Sequence, residues 1–288
     1  MFMSVKKLCV FLPLLLVSMA GNAQEEPAVV KYNNLLTNKA SLGYNFMFFE
    51  ETSPTYSFQT NRPWDFGVGI GIKNISFGFT FSIPFLYDQN YEKSQSFDVS
   101  FNHYNKHKNF SSGYIKYYNG FHSDADGDID LRIFNIGISH EFVFNKNHSL
   151  RSVYNLDERQ TISNGSFLFG GGLFFSSIRS DSSVLSNYSE RQNTFYFGPN
   201  LGYSYTWVFQ SNCFINALST FGLNTLISNA GYSVGMQVLP RFSFGYHGKT
   251  WSANIFVNYS LLIGGYGTEF EYHLLSGNVG LSFIKRFL

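Results

Sequence analysis

The strongest constraint on this chain is an alternation of period two that returns in segment after segment. Phe195, Phe197, Pro199, Leu201, Tyr203, Tyr205, Trp207 and Phe209 occupy odd positions, and Gly198, Asn200, Gly202, Ser204 and Thr206 lie between them. Trp64, Phe66, Val68, Ile70 and Ile72 alternate with Asp65, Gly67, Gly69 and Gly71, and the same form recurs over 75–85, 232–246 and 251–259. Side chains of a strand point alternately to opposite faces, so each segment carries one apolar and one polar face. A soluble sheet alternates too, but here the polar face is Gly, Ser and Asn with little Lys or Glu, whereas a face turned to water carries more charge. Aromatics gather at the segment ends, as the interfacial girdles of a membrane barrel do. The segments run to roughly 9–15 residues, enough to cross a bilayer when tilted. The pattern predicts an all-β fold, a transmembrane antiparallel up-and-down β-barrel.

Composition agrees. Aromatic residues are 19% of the chain and charged residues only 14%, against about 25% charged in soluble domains. Mean hydropathy is nevertheless −0.09, as expected where only alternate residues meet lipid. The net charge of +1 gives no electrostatic footprint for nucleic acid. Lys6 and Lys7, the apolar run 8–17 and the small residues up to Ala23 form the three parts of a secretory signal, with an apolar run about half the ~20 residues of a spanning helix. Cys9 lies inside that run, so a lipoprotein signal is not expected. With cleavage after Ala23, Cys213 is the remaining cysteine and no internal disulfide can form. The expected organisation is a signal peptide over 1–23, an N-terminal periplasmic segment over 24–39 and a barrel over 40–288. Export and barrel together predict the outer membrane of a Gram-negative bacterium, with a monomer surrounded by outer-membrane lipids and delivered by the barrel assembly machinery.

The alternation places strands near 40–49, 64–72, 75–83, 96–104, 110–120, 129–144, 165–178, 194–209, 213–223, 232–246, 250–260 and 276–287. That is about twelve, with fourteen the next even count. Connections alternate long and short, as outer loops and periplasmic turns do. The misfit is 145–164, some twenty residues on the short-turn side. It reads as a periplasmic insertion or an extended start to the next strand, and a further strand near 150–156 would break the parity. The terminal strand, with Val279, Leu281, Phe283 and Phe287 alternating, looks like the assembly signal of other barrels.

The stretch Gln160-Thr161-Ile162-Ser163-Asn164-Gly165-Ser166 with Gly170 to Gly172, then Phe197-Gly198-Pro199-Asn200-Leu201-Gly202-Tyr203 and Phe244-Gly245-Tyr246, resembles outer-membrane barrels grouped as domain of unknown function 4421. The resemblance spans nearly the whole mature chain. It implies the barrel fold and no particular activity.

Candidate functional residues fall into three groups. Asp124, Asp126, Asp128 and Asp130 alternate in an acidic stretch and could converge on Ca²⁺. The calcium-loop pattern wants Gly where Ile129 stands and a Glu where Asn135 stands, and a solvated turn explains the same residues. No other cofactor is expected. A lipid-modifying hydrolase would need a serine and a histidine within reach of one another. Ser139 and His140 point to opposite faces, and Ser243 and His247 lie about 13 Å apart at strand rise. Cross-strand pairs stay open, with no histidine singled out, so the sequence selects no enzyme. By parity Asp65, Asp98, Asn102, Lys116, Glu141, Asn200, Gln237, Arg241, Asn254 and Asn258 face the lumen. This mixed-charge interior favours a pore or small-ligand passage, with a lipid-modifying hydrolase or a structural or surface-adhesion barrel as alternatives.

Overall fold

The computed structural model describes residues 27–33, 36–52, 55–61, 64–83, 85–123, 127–154, 157–181, 191–209, 212–229, 231–266 and 271–287. The expected signal peptide lies outside them. The strands are β1 (Val29–Lys31), β2 (Leu36–Thr52), β3 (Thr55–Gln59), β4 (Trp64–Ile72), β5 (Ile75–Ser82), β6 (Gln95–Asn105), β7 (Asn109–Ser123) and β8 (Gly127–Val143). After helix α1 (Leu150–Tyr154) come β9 (Glu158–Gln160), β10 (Asn164–Ser180), β11 (Gln192–Phe209), β12 (Cys213–Ser228), β13 (Gly231–His247), β14 (Trp251–Tyr266) and β15 (Tyr272–Phe287).

Thirteen of these strands form one antiparallel sheet that closes on itself through β15–β2 and β6–β7. Each strand pairs with its neighbour in the chain around the cylinder, except that β3 is inset beside β2. Twelve strands make the wall, as the alternation predicts. Closure removes every sheet edge, which hydrocarbon would leave without hydrogen-bond partners. The first wall strand begins at Leu36, so residues 36–39 belong to the barrel and not to a preceding segment; the Leu36↔Phe287 pairing holds them there. Because the strand number is even, β2 begins and β15 ends at one rim. That rim also carries the tight turns at 73–74 and 106–108, which mark it as the periplasmic end.

The outer wall presents the expected apolar face. Leu42, Phe66, Val68, Ile70, Phe77, Ile138, Leu173, Phe197, Leu201, Leu223, Ile255 and Leu281 are among its exposed residues. In water so broad an apolar surface would drive association; in a bilayer it is the lipid contact. By its own surface the barrel is thus a membrane protein.

At the outer end the apolar face changes sides. On β8 the outward residues pass from Ile138 and Ile136 to Arg132 and Asp130, while the inward ones pass from Asn135 to Ile133, Leu131 and Ile129. The strands therefore outrun the bilayer and enclose a core of their own. Met47, Phe49, Phe58, Leu131, Ile133, Ile178, Leu226 and Leu274 fill the lumen there, with Phe49 and Leu131 fully buried. Burying such side chains is worth about 1.5–3 kcal/mol each.

The segment 145–164 enters the periplasmic end. Over 150–154, where the alternative was a further strand, it holds helix α1; the short strand β9 follows and pairs with β1 from the start of the described chain. Leu150 and Val153 pack against the lumen-facing Tyr104, Phe110, Val143, Leu168 and Leu218. A second apolar layer thus closes the barrel from below.

Candidate functional site

Between the two apolar layers the lumen is polar. The sheet register lays down a belt one residue high: Arg241 opposite Asn258, Asn258 opposite Asn278, and Asn278 opposite Asn45. On the far wall Asp98 stands opposite Lys116 and Lys116 opposite Asn135. These residues line a cavity of about 260 Å³ that also meets Asp65, Asn200, Gln237 and Tyr154, room for a small polar solute or several waters. Of the lumen residues expected from parity, Asp65, Asp98, Lys116, Asn200, Gln237, Arg241 and Asn258 line the cavity, Glu141 is buried against its lining residues Ser139 and Asn200, and Asn254 is buried.

The charges are not evenly matched. Lys116 lies 3.5 Å from Asp98. Asn45 Nδ2 donates to Asp65 at 2.6 Å. Glu141 accepts from Ser139 at 3.3 Å and from Asn200 at 3.4 Å. Arg241 instead donates from Nη1 to the neutral Asn258 at 3.1 Å, and its Nε is buried with no acceptor among the described residues. Its guanidinium lies 4.8 Å from the ring centre of Tyr154 and 5.9 Å from that of Phe256. Lys39 Nζ lies 5.8 Å from the centre of the same Phe256 ring. Neither cation forms an ion pair among the described residues. Sequence reasoning missed Lys39 because the strand, which begins at Leu36, was started at residue 40; the parity of Ser41 and Gly43 already pointed it inward.

The plug below the cavity is tied to the periplasmic turns by buried polar contacts, another feature the sequence did not reveal. Arg151 Nε donates to Asp157 at 3.2 Å and Nη1 to Asn74 in the β4–β5 turn at 3.1 Å, and Nη2 reaches the carbonyl of Lys73. Glu158 meets His107 of the β6–β7 turn at 2.6 Å and accepts from Ser149 at 2.5 Å. Arg159 reaches Asn212 at 2.8 Å, and His148 Nε2 lies 2.9 Å from Ser204 in the wall. Burial pushes the His148 imidazole down to about 4. Burial would raise the Glu158 carboxyl, but the hydrogen bonds from His107 and Ser149 and the nearby charges bring it below its usual value. Burial raises Asp157 in spite of its contact with Arg151.

Of the acidic stretch, Asp124 and Asp126 lie outside the described residues. Asp128 Oδ1 accepts from the Glu92 amide at 2.9 Å, and both carboxylate oxygens of Asp130 are held by Arg132, at 3.1 and 2.6 Å. These contacts engage one carboxylate oxygen of Asp128 and both of Asp130.

Serine–histidine contacts among the described residues include Ser204 with His148, Ser252 with His247 at 3.0 Å, and Ser111 with His140 at 2.8 Å. The first two are buried at the periplasmic end. The third lies on the outer wall, across two strands.

The family model described as Domain of unknown function (DUF4421) matches residues 29–287. No curated protein matches the chain at a significant level. Among solved structures, the translocator domain of the autotransporter NalP from Neisseria meningitidis is 13% identical, covering 88% of this chain and 90% of its own, with a TM-score of 0.45. The COG4313 outer membrane channel from Pseudomonas putida F1 is 8% identical, covering 92% of this chain and 100% of its own, with a TM-score of 0.40. The P. putida toluene transporter TodX is 7% identical, covering 88% and 90%, with a TM-score of 0.33.

Proposed function

The chain belongs to the DUF4421 family, and for this member we propose a gated small-solute passage, closed at rest, whose central chamber favours anions. The observation that carries this reading is the polar cavity itself, lying between two apolar layers and bordered by Arg241, which has no counter-ion among the described residues. A barrel serving only as scaffold gains nothing from a guanidinium buried in its middle, because an unpaired buried charge is costly. A guanidinium binds carboxylate and phosphate oxygens in a planar fork, so a small oxyanion supplies the missing partner. Entry runs through the periplasmic plug, which polar contacts hold and polar contacts can release. The outer layer, built on Met47, Phe49, Leu131 and Ile133, acts as a dewetted barrier.

The test places a cysteine in the chamber. In a Cys213→Ser background, Thr220→Cys is treated with anionic and cationic methanethiosulfonates of similar size. The anionic reagent is expected to react faster, by a ratio that Arg241→Gln removes. Equal rates in the parent, or a cationic preference, would overturn the anion reading.

A further inference from the structure

One transverse row of the lipid-facing wall is polar. The ladders set His103 of β6 opposite Ser111 of β7, and Ser111 opposite His140 of β8. The Ser111 hydroxyl lies 2.8 Å from His140 Nδ1, on the outside of the barrel. The row continues as Ile75 beside His103 and Gly171 beside His140. Polar groups on a lipid face are expensive, and ionisable residues at such depth mark function more often than packing.

The depth is readable from the neighbouring rows. Two residues nearer the periplasmic end, Phe142 stands opposite Phe169, and Phe144 follows; all three are exposed on the wall. The row also lies close to the periplasmic rim, since β7 begins at Asn109, straight after the tight turn at 106–108 and two residues before Ser111. Two residues of strand rise about 6.6 Å, less once the strand is tilted. The Ser111 hydroxyl therefore lies just inside the headgroups, where phospholipid acyl esters lie. On the flank of His140 away from Ser111 runs an open groove of about 690 Å³ bordered by Ile138, His140, Gly171, Leu173, Phe197 and Pro199. Gly171 contributes no side chain, so the groove passes next to the imidazole.

We propose that Ser111 and His140 form a hydrolytic dyad acting on acyl esters of phospholipids in the periplasmic leaflet, with the groove holding the acyl chain. Ser111 Oγ attacks the ester carbonyl carbon while its proton passes to His140 Nδ1. The carbon–oxygen bond to the glycerol breaks, and His140 returns the proton to the departing lysophospholipid. Water, deprotonated by the same imidazole, then attacks the acyl-serine; the products are a fatty acid and free Ser111. His103, opposite Ser111 on its other flank, brings a donor to the side where the oxyanion develops. No carboxylate contact to His140 occurs among the described residues, and the ring rests edge-on against Phe142 at 5.2 Å. A dyad of this kind is slower than a full triad by about 10⁴, so single-turnover labelling is the sensitive readout.

The experiment uses the full barrel in vesicles of phosphatidylethanolamine and phosphatidylglycerol, treated with a fluorophosphonate and mapped by mass spectrometry, with lysophospholipid release followed in parallel. An adduct on Ser111 is expected, together with lysophospholipid above the level in protein-free vesicles. Both are lost in Ser111→Ala, and the labelling rate falls about 100-fold or more in His140→Asn. The gel-mobility shift of a folded barrel confirms that each variant assembles. No Ser111 adduct in the parent protein, or labelling of His140→Asn at the parent rate, would overturn the proposal. Neither readout depends on the lumen, so the outcome is independent of the passage reading.

Discussion

Replacing Arg151 by Met should release the periplasmic plug while leaving the barrel wall intact. The side chain is 11% exposed and holds Asp157, 3% exposed, with Glu158 3.8 Å from its Nη1 and 1% exposed. Methionine keeps the apolar stem but strands Asp157 in a buried setting and weakens the field that holds Glu158 ionised. Removing one partner of a buried pair costs about 3–5 kcal/mol. Because burial already favours the protonated form of Asp157, neutralisation of that carboxyl offsets part of the loss, and the lower end of the range applies. About 3 kcal/mol is roughly a 100-fold shift in the balance between docked and undocked plug. Limited proteolysis of the detergent-folded protein reads this directly. Cleavage within 145–163 should accelerate by about two orders of magnitude, with the wall strands still protected. The double variant Arg151→Met with Asp157→Leu should recover much of the protection, since an apolar pair can replace a buried ion pair at little cost. Cleavage of the single variant at the parent rate would refute the assignment of Arg151 as the tie that holds the plug.

Acidification should loosen the plug by a separate route. His148 is held near 4 when docked and returns to about 6.5 when free, so docking is unaffected above that value and weakens as pH falls between the two, by up to about 3 kcal/mol. The depressed Glu158 acts in the same direction and the raised Asp157 partly opposes it; proteolysis between pH 7 and pH 4 should accelerate, and His148→Leu should flatten the profile. Gly198→Ala should block assembly, because a Cβ there would lie 1.8 Å from the Leu223 carbonyl oxygen, beside a gap in the β11–β12 ladder; a normal yield of gel-shifted barrel would contradict this. Phe49→Ala in the outer layer should lower barrel stability by about 3–5 kcal/mol, measured as a lower denaturation midpoint in detergent.

The wall was legible because lipid and lumen impose a strict period of two on every strand. Phe195 to Phe209 and Trp64 to Ile72 could hardly fold otherwise, and inward residues such as Asp98, Lys116 and Arg241 followed from parity alone. Legibility failed where that constraint lapses. Beyond the bilayer the apolar side of β8 turns inward between Asn135 and Ile133, so a run that looked like one continuous lipid face is two faces in series. The plug has no period, and its buried Arg151, Asp157, Glu158 and His148 are unremarkable until the turns at Asn74 and His107 are brought beneath the barrel. The Ser111–His140 contact joins residues 29 apart in the chain, and only the register of β7 against β8 makes them neighbours.

The central claim, that two closures in series seal a polar chamber, is tested most directly by single-channel recording in planar bilayers. Four proteins are compared: the parent, one with 147–161 replaced by a short Gly-Ser linker, one with Phe49 and Leu131 changed to Ser, and one with both changes. Steady, anion-preferring conductance is predicted only when both closures are removed. Steady conductance in the parent, or in the linker variant alone at the level of the combined one, would contradict it.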